Sequence, residues 1–500
     1  MIQNGGSAVP PPQVPINAPA PLLDGLHINS KYQFVRKIGA GTYGLIYLVQ
    51  DPSNGHQYAA KMVLKDPPNK VAGSKDTKNN KNYIQRQIHH YFSSRQGQNS
   101  NDYDDPQVTE LDLNLIKEKG VQCPFLREIA LNLRVHDHPN IVTIHKVLNI
   151  ADLCVLILMD YCDQGDLFGN IIDKQIFQKV PPYQDQQTLM KNCMLQLVDT
   201  INYCHRKSVY HCDLKPENIM VKYNPNYRRS SNSPIIDYNE IQIVLIDFGL
   251  AMLSNLICCN ACRGSSFYMA PERITNYNTN ALIKSMIDMR EYESVPQKAS
   301  ETNESNRKYF PTLAGDIWSL GVLFINITCS RNPWPIANIA NSYNADNTSD
   351  SGANNQVFQT YIFHNRNILK SILPILTQYN RLLDKIFQLN PSSRVSLPQL
   401  HKEIIEIDFF QDFINPTVVR NEQLYTPPET DVERGDTEYD TDYYDQDDIE
   451  VDSMSGTGLA SPVPSEIYLE QCQKQLKLFS CPHHHHHENA PHPYDYHKHH

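Results

Sequence analysis

Two short segments of this chain carry side chains whose types and order suit the transfer of a phosphoryl group. The first runs His211, Cys212, Asp213, Leu214, Lys215, Pro216, Glu217, Asn218, and the second is Asp247, Phe248, Gly249. Phosphoryl transfer asks little covalent chemistry of a protein. It needs a carboxylate that orients a substrate hydroxyl and accepts its proton, and oxygen donors that hold Mg2+ against a triphosphate. Asp213 fits the first role, and Asn218 and Asp247 fit the second. Lys215 brings positive charge to the moving γ-phosphoryl group. Two merely solvated loops would rarely match both this spacing and this order.

A glycine-rich stretch lies upstream, where Gly39, Gly41 and Gly44 follow Phe34 to Ile38. Glycines let the backbone pass close over phosphates and aim its N–H groups at them. The same G-x-G-x-x-G spacing serves dinucleotide-binding turns, but there the glycines open a helix. Here they lead into Leu45, Ile46, Tyr47, Leu48 and Val49, a β-branched and aromatic run that predicts a second strand. Tyr58 to Val63 then reads as an apolar strand with Lys61 inside it. An ammonium among apolar neighbours needs an anionic partner. After a phosphate loop the α and β phosphates suit that role, although a lysine at a strand edge with its head in solvent is the alternative. Glu128, in Arg127-Glu128-Ile129-Ala130-Leu131 ahead of His138-Pro139-Asn140, is the expected protein partner, on a helix.

Strands must therefore carry the glycines and Lys61, a helix must carry Glu128, and loops must hold Asp213 and Asp247. The 500 residues, 40% of them hydrophobic, suffice for one large domain or two ordinary ones. With 33 prolines, 2 tryptophans and a mean hydropathy of −0.49, long pieces are expected to stay unstructured. Residues 1–30, with six prolines between Pro10 and Pro21, predict a disordered arm. Residues 31–413 form the expected folded region, interrupted by polar inserts near 66–118, 224–238, 277–310 and 340–356 that should loop out. Residues 414–500 predict a disordered acidic and His-rich tail, in which Tyr468, Cys472, Leu476 and Phe479 would share one face of a short helix.

The net charge of −11 belongs to that tail. Residues 421–453 hold 13 acidic side chains against Arg434, or −12, leaving +1 for the remainder. The remainder offers no basic footprint for nucleic acid. The apolar run Leu153 to Met159 is far shorter than the roughly 18 residues of a membrane span. No secretory signal pattern opens the chain, so a cytoplasmic or nuclear location and reduced thiols are expected for its 12 cysteines. Cys258, Cys259 and Cys262 supply only one C-x-x-C-like pair, which favours ordinary loop thiols over structural zinc or a thiol switch. His483 to His487, with four further histidines after them, would bind transition metals, but compositional bias or part of an affinity tag is the simpler reading.

Further signatures follow in order: Gly264-Ser265-Ser266 with Tyr268 and Ala270-Pro271-Glu272, then Gly315-Asp316 with Trp318 and Gly321, then Arg394. Together with the motifs above, they make residues 32 to about 413 resemble a eukaryotic protein kinase. The Lys215-Pro216-Glu217-Asn218 form resembles the serine/threonine type. Tyr210-His211-Cys212-Asp213, Thr328-Cys329-Ser330-Arg331-Asn332-Pro333-Trp334 and Lys370-Ser371-Ile372-Leu373-Pro374 are similar to the fungal Ran/Sks/Vhs group, which is tied to nutrient response and cell-cycle or meiotic control.

The resemblance implies an α+β, two-lobed fold, with a small β-rich N-lobe, a larger helical C-lobe, and ATP and Mg2+ between them. It implies that Asp213, Lys215, Lys61 and Glu128 are catalytic and that Gly39, Gly41 and Gly44 cover the phosphates. Ile38, Ile46 and Ala59 would cap the adenine, Met220 would lie beneath it, and Met159 would be the gatekeeper. Asp160 and Cys162 would supply hinge backbone groups, and Asp166 would lie near the ribose. Glu272 and Arg394 would pair in the large lobe, and Asp316 would brace the catalytic loop. Protein substrates with Ser or Thr acceptors follow, and a monomer is expected. Two positions depart from the pattern. Cys212 replaces the arginine usual before the catalytic aspartate, and Asn132 stands where an apolar residue usually follows the helix glutamate. The competing reading is a nucleotide-binding pseudokinase scaffold, against which stands the intact set Lys61, Asp213, Asn218 and Asp247.

Overall fold

The computed structural model describes residues 19–40, 44–65, 77–96, 107–179, 183–228, 236–292, 308–339, 355–410, 476 and 478–480. The chain divides into two compact units. The smaller takes residues 1–116, 146–158 and 463–500, and the larger takes 117–145 and 159–462.

The smaller unit is a six-stranded sheet. Its strands are β1 (Gln33–Ala40), β2 (Gly44–Gln50), β3 (Gln57–Leu64), β4 (Val108–Glu110), β5 (Ile144–Ile150) and β6 (Cys154–Asp160), in the order β1-β2-β3-β6-β5-β4. Side chains alternate across a strand, so one face can be apolar while the other stays open. Leu45, Tyr47 and Val49 of β2 and Ala60, Met62 and Leu64 of β3 point into the core with Phe34. Ile46 and Lys61 pair in the register of the opposite face, where both are half-buried. The helix α1 (Thr77–Ser93) closes the core, and Phe92 meets Phe34 edge-on with ring centroids 5.1 Å apart.

Two expectations are corrected here. Residues 66–118 do not simply loop out, because Ile84, Ile88 and Phe92 recur at helical spacing and place a buried stripe on an otherwise polar helix. The arm is structured in its last third. Leu23 and Ile28 are buried in the same core, and the Leu23 N–H donates to the Tyr47 hydroxyl at 2.9 Å.

The larger unit is mainly helical: α2 (Leu113–Lys119) leads into α3 (Arg127–Val135), and then follow α4 (Leu167–Ile172), α5 (Tyr183–Arg206), α6 (Pro271–Ile274), α7 (Ala281–Met286), α8 (Thr312–Cys329), α9 (Gln356–Phe363), α10 (Ile368–Ile372), α11 (Thr377–Ile386) and α12 (Leu397–Glu406). Two small antiparallel ribbons accompany them, β7 (Ile219–Tyr223) with β8 (Ile241–Leu245), and β9 (Leu256–Cys258) with β10 (Tyr309–Pro311). By length and composition α8 alone among the described helices could cross a membrane, yet 94% of it is buried inside the protein. It is the core helix of this unit, with Trp318 packed on Trp334 and Phe387.

The insert at 277–310 is likewise part of the fold at its two ends. Ile283 of α7, Tyr292 and Phe310 are buried, and Phe310 lies in the ribbon that pairs with β9. At 224–238 the ends are tied by Asn224 N–H to the Glu240 carbonyl and by Tyr227 to Asp237, while 229–235 lie outside the described residues. Most of 340–356 lies outside them too. In the tail, Leu476 and Phe479 are buried, so this part of 414–500 is packed rather than free.

Candidate active site

The loop between α5 and β7 is built around Asp316, which projects from α8. Its two carboxylate oxygens accept the N–H groups of His211 and Cys212 at 3.1 and 2.9 Å. Burial pushes the Asp316 carboxyl up, while Arg273 and His211 oppose that shift. His211 donates from Nε2 to the Ile246 carbonyl, 3.0 Å away, and packs edge-on against Phe248. The loop carrying Asp213 and the segment carrying Asp247 are thereby fastened to each other.

Asp213 itself is held at both oxygens. Oδ1 accepts the backbone N–H and the hydroxyl of Ser265, each at 2.8 Å. Oδ2 accepts from the Asn218 amide at 3.1 Å and lies 3.5 Å from the Lys215 ammonium. Lys215 also donates to the Ser265 hydroxyl at 3.1 Å. The side chains of Asp213 and Lys215 remain 11% and 27% exposed, so a substrate can reach this cluster. Ser265, read in the sequence only as part of the Gly264-Ser265-Ser266 signature, is brought onto Asp213 by the fold. The signal for it is the small hydroxyl beside Gly264, whose φ of +109° brings it so close to the Cys212 carbonyl that a Cβ would stand 2.4 Å away.

Asp247 adopts a left-handed backbone with φ of 60°, and its Oδ1 accepts the Gly249 N–H at 3.1 Å. Glu128 lies in the first turn of α3. A Cβ built on Gly249 would be 3.1 Å from Asp247 Oδ1 and 3.5 Å from Glu128 Oε2, which places the two carboxylates around the same glycine. Asn132, one turn on, is buried with its side-chain oxygen unpartnered. Met159, Cys162 and Met220 come together in one apolar cluster with Val142, Val244 and Ile246. Asp160 binds back on its own hairpin, its carboxylate meeting His145 at 2.6 Å and the Thr143 N–H at 3.3 Å. Burial would raise its pKa, but these contacts hold the carboxyl below its usual value. Asp166 caps α4 by accepting the Gly169 N–H, and it bridges to Met220.

Among the residues assigned to the smaller unit, Gly39, Ile46 and Lys61 fall in one row across β1, β2 and β3, and Ala59 lies two pairs further along. Ile38 is half-buried beside Gly39. Gly41 lies outside the described residues.

The segment after Asp247 is held by backbone pairing and packing. Met252 and Tyr210 exchange N–H···O bonds at 2.9 Å, and β9 pairs with β10. Asn260 and Cys262 donate to the carbonyls of Glu272 and Arg273. Tyr210, Cys212, Met252 and Ile257 form a cluster beneath. Arg273 fills the space beside Cys212. Its guanidinium donates to the Thr312 carbonyl at 2.8 Å and lies so flat on Gly315 that a Cβ there would meet it at 2.3 Å. Burial pushes the Cys212 thiol up to about 12 and the Cys259 thiol to about 11, so neither is a ready thiolate. Glu272 and Arg394 form a bidentate pair, with both contacts at 2.7 Å, and Arg394 lies over Trp318.

The donor set suits Mg2+. Both described bonds of the Asn218 amide nitrogen go to Asp213, which turns its oxygen away as an acceptor, and Asp247 supplies a carboxylate. Among the described residues no three His, Cys, Asp or Glu side chains gather as a metal cage. Two protein oxygens completed by phosphates and water are what a small, strongly hydrated cation tolerates.

The protein kinase domain family model matches residues 112–289. Serine/threonine-protein kinase VHS1 of Saccharomyces cerevisiae is 34% identical over 396 residues, covering 78% of this chain and 72% of that protein. Serine/threonine-protein kinase SKS1 of the same yeast is 35% identical over 394 residues, 76% of this chain and 66% of its own length. The protein named negative regulator of sexual conjugation and meiosis, from Schizosaccharomyces pombe, is 32% identical over 379 residues, 76% of this chain and 60% of its own. This chain thus spans less than two thirds of the latter two proteins.

Proposed function

Because the chain belongs to the protein kinase family and is a serine/threonine kinase within it, we propose that it moves the γ-phosphoryl group of ATP onto Ser and Thr hydroxyls of protein substrates. The carrying observation is the double anchoring of Asp213, whose carboxylate is fixed by Ser265 on one oxygen and by Asn218 and Lys215 near the other. As the acceptor oxygen bonds to phosphorus and the bond to ADP breaks, the hydroxyl proton passes to Asp213. Lys215 stabilises charge on the transferring group, and positioning with electrostatics supplies most of the acceleration. Mg2+, held by Asn218 and Asp247, would neutralise the phosphates. Lys61 is assigned to the α and β phosphates, Glu128 to the catalytic set, and Gly39, Gly41 and Gly44 to covering the phosphates. Ile38, Ile46, Ala59, Met159, Cys162 and Met220 are assigned to the adenine, with Asp160 at the hinge and Asp166 near the ribose.

A basic residue upstream of the acceptor fits Glu217 and Asp166. Glu217 is a largely buried carboxyl with one oxygen unpartnered, near Asp166 and opposite Lys215. We place the protein in nutrient or cell-cycle signalling, in the cytoplasm or nucleus, as a monomer. The meiotic regulator among its relatives supports that role.

Labelled ATP and a degenerate peptide library test the reading. Wild-type protein should label Ser or Thr peptides with upstream Arg. Asp213→Asn, Lys61→Met and Asp247→Asn should each lose about a thousandfold in rate, the equivalent of ~4 kcal/mol of transition-state stabilisation. Wild-type turnover by Asp213→Asn would overturn the assignment.

A further inference from the structure

The strand β4 closes one side of the six-stranded sheet, and the residue after it, Leu111, continues the ladder by donating its N–H to the Val147 carbonyl at 2.9 Å. An open sheet edge offers unpaired backbone groups to any extended peptide. Here that place is taken from within the chain. Ser480 forms an antiparallel bridge with Leu111, and the Asp112 N–H donates to the Phe479 carbonyl at 2.7 Å. The segment turns as it arrives, with the Phe479 N–H bonding to the Leu476 carbonyl at 3.0 Å. Leu476 and Phe479 are 1% and 6% exposed, whereas Leu478 between them is 73% exposed. This is the signature of two apolar anchors with an outward spacer, read together with backbone pairing.

We propose that residues 476–480 are a docking segment whose receptor is the edge of the small unit at Leu111 and Asp112, and that this chain's own tail is the occupant. The receptor has a second function in the fold. Asp112 accepts the N–H groups of Asn114 and Leu115 on its carboxylate and so starts α2, while its own N–H is taken by the tail. The docked segment therefore completes the N-terminus of the helix that leads into α3. Docking in cis is favoured by connectivity. Residues 411–475 join Phe410 to the segment within one chain, and such covalent linkage makes docking an intramolecular event, which a separate molecule must match by concentration. A short contact that would be weak between separate molecules is thereby kept occupied.

The test uses the full-length chain. In hydrogen exchange, peptides spanning 108–116 should be protected in the wild type and should exchange at least tenfold faster in Leu476→Asp/Phe479→Asp. Leu478→Asp, at the outward position, should leave them unchanged. Added synthetic peptide 465–482 should restore protection to the double variant. Because substitution could disturb folding for other reasons, a second measurement is made on Leu111→Cys/Ser480→Cys. The bridged positions should form a disulfide under mild oxidation, mapped by mass spectrometry and running as a monomer on a non-reducing gel. A Leu111→Cys/Ser480→Cys cross-link found only between two molecules would overturn the cis occupant. No cross-link, or exchange in 108–116 that ignores Leu476→Asp/Phe479→Asp, would overturn the docking site itself.

Discussion

At Asp213 the two carboxylate oxygens have different tasks. Oδ1 is occupied by both donors of Ser265, so Oδ2, which faces Asn218 and Lys215, is the one with room to meet a substrate hydroxyl. Ser265→Ala removes one of the two Oδ1 bonds and leaves the backbone N–H in place. It should lower kcat about tenfold, roughly the worth of one hydrogen bond to a charged group, with little change in KM for ATP. Glu217 gives a prediction in pH. Burial raises its pKa above that of an ordinary glutamate, with Lys215 opposing and Asp166 reinforcing the shift. A raised pKa means the neutral form fills in from a higher pH as acid is added. KM for a peptide with an upstream arginine should therefore climb on acidification sooner than an unperturbed glutamate would allow, while Glu217→Gln should show a high KM with no such rise. The roles proposed for Asp213, Asn218 and Asp247 come from the sequence because each is set within a short loop of fixed spacing. The contact of Ser265 with Asp213 was not legible there, because it spans 52 residues, although Gly264-Ser265-Ser266 stood out as a signature.

At the scale of elements, the segment from Asp247 to Glu272 is held by its neighbours rather than by an added charge. In kinases that are switched by loop phosphorylation, a phosphate orders the segment through arginine contacts. Cys212 cannot make such contacts, and the position beside it is filled by Arg273 lying on Gly315. The strand β9 is already paired with β10, and Ser254 is engaged with Leu256. Phosphatase-treated enzyme and Ser254→Ala should both keep most of their turnover, measured on one peptide substrate. Arg273→Met should lower both turnover and the thermal midpoint, because it removes the buried cation beside Asp316 and the bond to Thr312, a change of the kind that costs several kcal/mol. Full loss of activity on dephosphorylation, restored by phosphate on Ser254, would reject this account. Only half of this lock could be read from sequence. The missing arginine was plain at Cys212, but β10 sits at the end of a stretch so polar that it read as a loop. Composition averages over a window, and three residues, Tyr309, Phe310 and Pro311, do not move the average. The same averaging hid α1, where Ile84, Ile88 and Phe92 are diluted by Lys, Asn and Gln.

Across the whole molecule, charge and anchoring belong to different parts of the tail, and they can be separated. The −12 carried by residues 421–453 precedes the anchors Leu476 and Phe479, and the rest of the chain sums to about +1. If the enzyme has the basic-peptide preference proposed above, a dense negative segment on the same chain competes with the enzyme for those peptides electrostatically, and such competition weakens as salt shortens the screening length from about 10 Å at 0.1 M to about 3 Å at 1 M. Removing residues 421–453 while keeping 463–480 should therefore lower KM for an arginine-containing peptide at low salt and change it little at high salt. The thermal midpoint should stay where it is, since the anchors remain. Removing everything after 462 should instead lower the midpoint by several degrees, because it exposes the edge at Leu111 and leaves the Asp112 N–H without its acceptor. If the shorter internal deletion produced the stability loss and the longer truncation did not, the assignment of charge to competition and of Leu476 and Phe479 to anchoring would be reversed.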